Sequence, residues 1–277
     1  MPELPEVEVI CRGIRPHLLE RKVTAIHHSG KQLRLPVPLQ LLQKEMVGRQ
    51  IKEVSRRAKY LQITLDSGAM LIIHLGMTGN LGFFAPNSDP AKHDHLRWTL
   101  DNGTELRYND SRRFGSIQIL AARDTADLEA TVFKTAGPEP FSDEFSAEYL
   151  LRLAKGRDLP VKVFIMTTQV VAGVGNIYAN ESLFRAGILP TRKISSIRKK
   201  DWQRLITAIR EILQHAIHCG GSTISNFINA RQEKGYFQVN FQVYGKEGET
   251  CPACRQAKLE KVRLAGRASY FCPCCQR

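Results

Sequence analysis

The chain has 277 residues and a mass of 31.3 kDa, enough for one large core or two smaller ones, and its 43% hydrophobic content fits a folded globular protein. Its 40 Lys and Arg against 27 Asp and Glu give a formal charge of +13 and a pI near 9.6, which points to a polyanionic partner, nucleic acid ahead of a membrane surface. No apolar run is long enough to span a bilayer, and neither a lipidation motif nor a signal-like apolar stretch is found, so a cytoplasmic protein with no membrane partner is expected.

In chain order, the first stretch is Met1-Pro2-Glu3-Leu4-Pro5-Glu6. Pro5 suits a first helical position, and Val7, Ile10, Cys11, Ile14 and Leu18 recur at helical spacing, so a helix starts here and Pro16 is expected to kink or end it. Once Met1 is removed, Pro2 carries a free secondary amine whose reference pKa of roughly 8 leaves a neutral, nucleophilic fraction at neutral pH. Attack by such an amine on an aldehyde carbon gives an iminium ion, an electron sink, and Glu3 beside it can move protons. The positive end of the helix would disfavour a protonated amine nearby. On the local pattern alone, a Pro and a Glu that simply start a helix are the better reading.

Lys22 to His28 then reads as a strand, Leu39 to Met46 as a short helix, and Gln50 to Gly82 as two or three strands. Asp66-Ser67-Gly68 and Asp101-Asn102-Gly103 are turn sequences flanked by strand-like runs from Leu61 to Leu65, Ala69 to Ile73, His95 to Leu100 and Glu105 to Tyr108. With Ser116 to Leu120 these make a β-rich first half, a sandwich. The periodicity fades from Ala122, and Gly137-Pro138-Glu139-Pro140 marks a boundary.

The second half is mostly helical. Trp202, Leu205, Ile206, Ile209, Ile212, Leu213, Ala216 and Ile217 form one apolar helical stripe. Asn176 is a good N-cap for a helix running to about Ala186, with Gly187 as its C′ residue and Pro190 beyond. The glycines of Gly173-Val174-Gly175 would let backbone approach a phosphate at that helix N-terminus, although glycine before an Asn cap is more often plain loop-to-helix punctuation.

Cys11 and Cys219 are isolated, while five cysteines lie between 251 and 275, a clustering that suggests metal rather than disulfides. Cys251-Pro-Ala-Cys254 and Cys272-Pro-Cys274-Cys275 form two facing C-P-x-C knuckles. Cys274 occupies the x position that Ala253 fills in the first knuckle, which leaves Cys251, Cys254, Cys272 and Cys275 as ligands. Four thiolates close a tetrahedral zinc, so one structural ion is expected, without an open position for chemistry. Lys258, Lys261, Arg263 and Arg267 between the knuckles favour nucleic acid over a ribbon that only stabilises or binds protein.

Together these residues resemble the bacterial formamidopyrimidine-DNA glycosylase family, which excises oxidised purines. The resemblance spans nearly the whole chain: PELPEVE at the start, RRAKYL from Arg56, HLGMTG from His74, KHDH from Lys92, RYNDSRRFG from Arg107, GPEP, GVGNIYANESLF from Gly173, GGSTISNF from Gly220, FQVYG from Phe241, and the cysteine knuckles. It implies an α+β chain: an N-terminal β-sandwich with a leading helix (1–133), a helix-two-turn-helix DNA-binding domain (134–240) and a four-cysteine zinc finger (241–277). The chain would act as a monomer on double-stranded DNA carrying oxidised bases, beside the bacterial chromosome.

By that resemblance Pro2 attacks C1′ of the damaged nucleotide to form a Schiff base, and Glu3 is the principal acid and base, with Glu6 a supporting carboxylate. Lys59 moves the proton in β-elimination and Arg267 serves δ-elimination. A base taken out of the stack leaves a hole, and Met77, Arg112 and Phe114 match the family's space-filling residues. Without the resemblance, Met77 and Phe114 would read as core residues and Arg112 as a solvated charge. Asn176 and Lys162 match phosphate contacts, with Tyr244, His93 and Arg157 as further candidates, and the loop from Ser222 to Tyr236 matches the segment that covers the flipped base. Asp158 and Pro160 depart from the family pattern just before Lys162, and Ser111 stands where the family often has Pro. Leu4 and the RRFG at Arg112 favour the purine enzymes over the related oxidised-pyrimidine branch, and a non-catalytic zinc-ribbon binder is the rival from another class.

Overall fold

The computed structural model describes residues 2–86, 88–125, 128, 132–222 and 241–277. The chain divides into two compact units, one of residues 2–134 with 219–222, the other of residues 135–218 with 241–277. Met1, and the loop expected to cover a flipped base apart from Ser222, lie outside the described residues.

The first unit opens with helix α1 (Leu4–Leu18), whose buried Leu4, Val7, Ile10, Cys11, Ile14 and Leu18 face the core. Each such aliphatic side chain contributes on the order of 2 kcal/mol by leaving water. Burial also pushes the Cys11 thiol up to about 11, which makes it a core residue rather than a reactive one. Pro16 does not end the helix at its own position: it lies in the last turn, so its ring interrupts at most the final hydrogen bonds, and buried Leu18 holds that turn against the core.

Eight strands follow: β1 (Val23–His28), β2 (Ile51–Arg57), β3 (Tyr60–Leu65), β4 (Met70–His74), β5 (Asn80–Phe84), β6 (Asp94–Leu100), β7 (Glu105–Asn109) and β8 (Ser116–Leu120). The short helix α2 (Leu39–Met46) lies where its spacing placed it. The span from Gln50 to Gly82 holds β2, β3 and β4 and also the start of a fourth strand, β5, whose Leu81-Gly82 core was too short to stand out as a separate apolar run. Two antiparallel sheets result, ordered β1-β6-β7-β5 and β2-β3-β4-β8. Trp98, Leu106 and Tyr108 from the first and Leu61, Ile63, Leu71, Ile73 and Ile117 from the second share one core with α1, an α-helix-capped sandwich. A four-residue helix α3 (Ala122–Thr125) follows β8.

The second unit contains α4 (Ala147–Ala154), α5 (Val161–Ile165), α6 (Asn176–Arg185), α7 (Lys199–His218) and the antiparallel hairpin β9 (Glu260–Leu264) with β10 (Arg267–Phe271). The α7 stripe is buried as its periodicity required, Trp202, Leu205, Ile209, Leu213 and Ala216 among it. Ser146 caps α4 by accepting from Tyr149 N at 3.2 Å. Asn176, in contrast, is not the cap of α6: Gly175 takes that place and Asn176 is the first helical residue, its side chain engaged elsewhere. Gly187 does close that helix in the left-handed region (φ 63°), with Ile188 N donating to Leu183 O.

Candidate active site and nucleic-acid interface

Pro2 and Glu3 are buried at the N-terminus of α1, where Glu3 is the N-cap residue and Glu6 the third helical residue of a capping box. Glu3 N donates to Glu6 Oε2 at 2.8 Å, and the other Glu6 oxygen accepts from Ser222 N and Oγ, both at 2.8 Å. Glu6 thus holds the backbone at Glu3 on one side and the entry to the segment after Ser222 on the other.

A second chain of contacts links α1 to Lys59. Glu8 pairs with Arg56 at 3.0 Å, and Arg56 Nη1 donates to Ala58 O at 2.8 Å, in the β2–β3 turn that carries Lys59. Burial alone would raise the Glu8 pKa, but Arg12 and Arg56 hold it below the ordinary carboxylate range. Ala58 adopts φ 54°, a left-handed conformation that turns the chain sharply just before Lys59. The half-buried Lys59 is therefore fixed relative to the helix that carries Pro2 and Glu3, within one unit.

Beside Lys59 stands a residue that sequence reasoning passed over. His74, at the end of β4, packs its ring against Tyr60 at 4.8 Å and accepts from Gly76 N at 3.1 Å. Burial, with repulsion from Lys59 and Arg34, lowers its pKa to about 4, so the ring is neutral. Only the position of His74 inside HLGMTG could have marked it. An unfolded chain takes up this proton below pH about 6.5, the folded one only near pH 4, so acid favours the unfolded state in that window. Stability is thus expected to be complete above pH 6.5 and to fall by up to about 3 kcal/mol towards pH 4. Urea midpoints of wild type and His74→Gln at pH 7 and 4.5 test this: the variant should lack that part of the acid loss.

Met77, Arg112 and Phe114 are brought onto one surface by two interlocked loops. Met77 and Phe114 are 37% and 46% exposed, not core residues, and the Arg112 guanidinium lies over the Phe114 ring at 4.7 Å. Beneath them the Asp110 carboxylate accepts from Thr78 Oγ1, Tyr108 Oη and Gly115 N, while Arg112 N donates to Thr78 Oγ1 at 3.1 Å. The glycines permit the contact: a Cβ on Gly115 would lie 1.7 Å from Tyr108 Oη, and one on Gly76 2.4 Å from Gly115 N. Gly115→Ala is accordingly expected to destabilise the protein by about 1–3 kcal/mol, read as a lower urea midpoint.

His93 borders the same platform, its carbonyl accepting from Asp110 N at 3.1 Å. The loop before it is clamped by buried Arg107, which pairs with Glu105 at 2.7 Å and Asp94 at 3.4 Å and donates to Ser88 O and Asp89 O.

In the second unit, Lys162 is 1% exposed, and its ammonium donates to Asn176 Oδ1 (2.7 Å), Ala268 O (2.6 Å) and Ser269 Oγ (2.7 Å). That is why the Asn176 side chain does not cap its helix. Arg267 is exposed at the start of β10, just past the left-handed pair Ala265 (φ 45°) and Gly266 (φ 75°), and Tyr244 lies edge-on between Phe241 and Tyr270 at 5.6 and 5.4 Å. Arg157 is exposed after α4 and takes no part in the Lys162–Asn176 contacts.

The sulfurs of Cys251, Cys254, Cys272 and Cys275 all lie within 4.8 Å of one another, and Cys274 is exposed outside the group. Cys251 to Cys275 is 3.8 Å and Cys254 to Cys272 3.7 Å, far beyond an S–S bond. A tetrahedron with Zn–S bonds of about 2.3 Å has edges of about 3.8 Å, so this cradle fits one zinc ion.

Relatives of one family cover the whole chain. Residues 1–117 match the formamidopyrimidine-DNA glycosylase N-terminal domain, 136–228 the H2TH domain of the same glycosylase, and 248–277 a zinc finger found in FPG and IleRS. The chain belongs to the formamidopyrimidine-DNA glycosylase family. It is 44% identical to the Formamidopyrimidine-DNA glycosylase of Hahella chejuensis and 46% to that of Psychromonas ingrahamii, each over 100% of both chains. Among solved structures, it resembles a Lactococcus lactis FPG mutant in complex with Fapy-dG containing DNA (34% identity, TM-score 0.90, 100% of both chains). It also resembles the Lactococcus lactis Fpg bound to an abasic site containing DNA (33% identity, TM-score 0.89, 99% of both chains). The family carries the α+β architecture, the base-excision glycosylase function with its lyase activity, and the zinc finger.

Proposed function

We propose that this DNA glycosylase removes oxidised purines from duplex DNA and nicks the abasic product from its own N-terminus. The observation that supports this most is the buried Pro2–Glu3 pair at the start of α1, joined through Glu8 and Arg56 to the turn of Lys59. With Met1 removed, the Pro2 nitrogen attacks C1′, the bond from C1′ to the base breaks, and the base leaves with a proton. Glu3 is the acid and base for that exchange and for opening the sugar. Lys59 takes the C2′ proton as the 3′ phosphate departs, and Arg267 assists loss of the 5′ phosphate.

Met77, Arg112 and Phe114 fill the vacated stack: thioether and phenyl wedge, and guanidinium bonds the orphaned base. Asn176, Tyr244 and His93 hold phosphates. Lys162 donates to three acceptors inside its unit, so it orients Asn176 and the hairpin carrying Arg267, and Arg157 is a peripheral contact. The domains are 1–133, 134–240 and 241–277, and the enzyme works as a monomer in the cytoplasm. Among the described residues no helix is long and apolar enough to cross a membrane.

Borohydride trapping tests this on a duplex with one 8-oxoguanine opposite cytosine. A crosslinked peptide with the adduct on Pro2 is expected; no adduct on a chain shown by mass to lack Met1 would overturn the Schiff-base route. A related Lactococcus lactis Fpg was crystallised with an oxidized pyrimidine containing DNA, so thymine glycol belongs in the same panel. Cleavage of thymine glycol far faster than 8-oxoguanine would reassign the substrate.

A further inference from the structure

Glu181 has a buried carboxylate with no place in the chemistry above. It is 1% exposed, one turn and more beyond Asn176 on α6, and three consecutive amides converge on it: Gln242 N at 2.9 Å, Val243 N at 3.1 Å and Tyr244 N at 2.8 Å. Burial raises its pKa against the pull of these N–H groups, and Lys246 stands nearby. A neutral surface loop needs no such group. Converging amides form an anion nest, and here the anion is supplied from a helix about 60 residues earlier in the chain.

The consequence falls on Tyr244. Its ring is packed between Phe241 and Tyr270, and the backbone of Tyr270 is itself held from α6, through Tyr270 N donating to Asn180 Oδ1 at 2.7 Å. Neighbouring residues of one helix, Asn180 and Glu181, therefore fix the two backbone segments that flank the Tyr244 ring. The same helix begins at Asn176. We infer that Glu181 is a positioning residue that sets the Tyr244 hydroxyl at a fixed spacing from Asn176, making α6 a template for two contacts on one DNA backbone. This rests on the reading of Tyr244 and Asn176 as phosphate contacts.

The test measures affinity for an uncleavable duplex carrying a tetrahydrofuran abasic analogue, by anisotropy across a salt series, for Glu181→Gln, Tyr244→Phe and the double variant. Glutamine keeps the shape but turns an NH2 towards amides that need an acceptor. Each single variant should bind about tenfold more weakly, as expected for one lost hydrogen bond to a charged group. The double variant should be no weaker than Tyr244→Phe. A neutral hydroxyl releases no counterion, so the slope of log K against log salt should stay at the wild-type value in all three.

A shallower slope in Glu181→Gln, or effects that multiply in the double variant, would overturn the inference while leaving Tyr244 as a contact. Wild-type affinity in Tyr244→Phe would instead remove the contact itself, and the inference with it. Amide exchange in the wild-type protein needs no variant: strong protection at 242–244 is expected, and exchange at the rate of an open loop would sink the assignment.

Discussion

Glu3→Gln is expected to lower the single-turnover rate of base excision by roughly 10²–10⁴-fold, the usual worth of a positioned general acid and base. The change is unusually clean here. Glutamine retains a side-chain oxygen at the N-cap, so α1 and its buried face should persist, and a rate loss reports proton transfer rather than unfolding. Pro2→Gly addresses the other half of the chemistry. It replaces a ring-fixed secondary amine by a flexible primary one, so the iminium ion with its permanent charge is no longer available and nicking at 8-oxoguanine should fall steeply. The pair separates the roles: Glu3→Gln impairs excision from the intact nucleotide, whereas Pro2→Gly also impairs trapping at a preformed abasic site. A Glu3→Gln rate within tenfold of wild type, with normal folding, would take the acid–base role away from Glu3.

The second large effect concerns the zinc cradle. Cys251→Ser with Cys254→Ser should reduce bound zinc from one ion per chain to none and weaken duplex binding by about a hundredfold or more. Lys162 transmits the loss, because its ammonium donates to Ala268 O and Ser269 Oγ on β10. A hairpin released from its metal withdraws both neutral acceptors from a buried ammonium, and each hydrogen bond to a charged group is worth about 1.5–3 kcal/mol. Arg267 and Tyr270 move with the same strand. Circular dichroism should still report the sandwich strands, because that core has its own residues and no cysteine ligand. Zinc-free protein that binds the lesion duplex with wild-type affinity would contradict a structural role for the ion.

Sequence alone determined what depends on near neighbours. The alternation and turn chemistry around Leu61 to Leu65, Ala69 to Ile73 and Glu105 to Tyr108 placed the strands, the apolar stripe from Trp202 to Ile217 placed α7, and the repeated C-P-x-C spacing singled out four cysteines from five. Each of these signals is written within a few residues, because strand and helix periodicity and metal knuckles are short-range geometry. The tertiary structure decided the rest. Pro16 is tolerated because Leu18 has a core to reach, and Asn176 yields its cap to Gly175 because Lys162, with β10 behind it, claims its side chain. Met77 and Phe114 look like core residues in the sequence and stand exposed because Asp110 folds two distant loops against each other. His74 and Glu181 were unreadable for the same physical reason: burial and charge partners set what they do, and those partners arrive from other segments of the chain only when it folds.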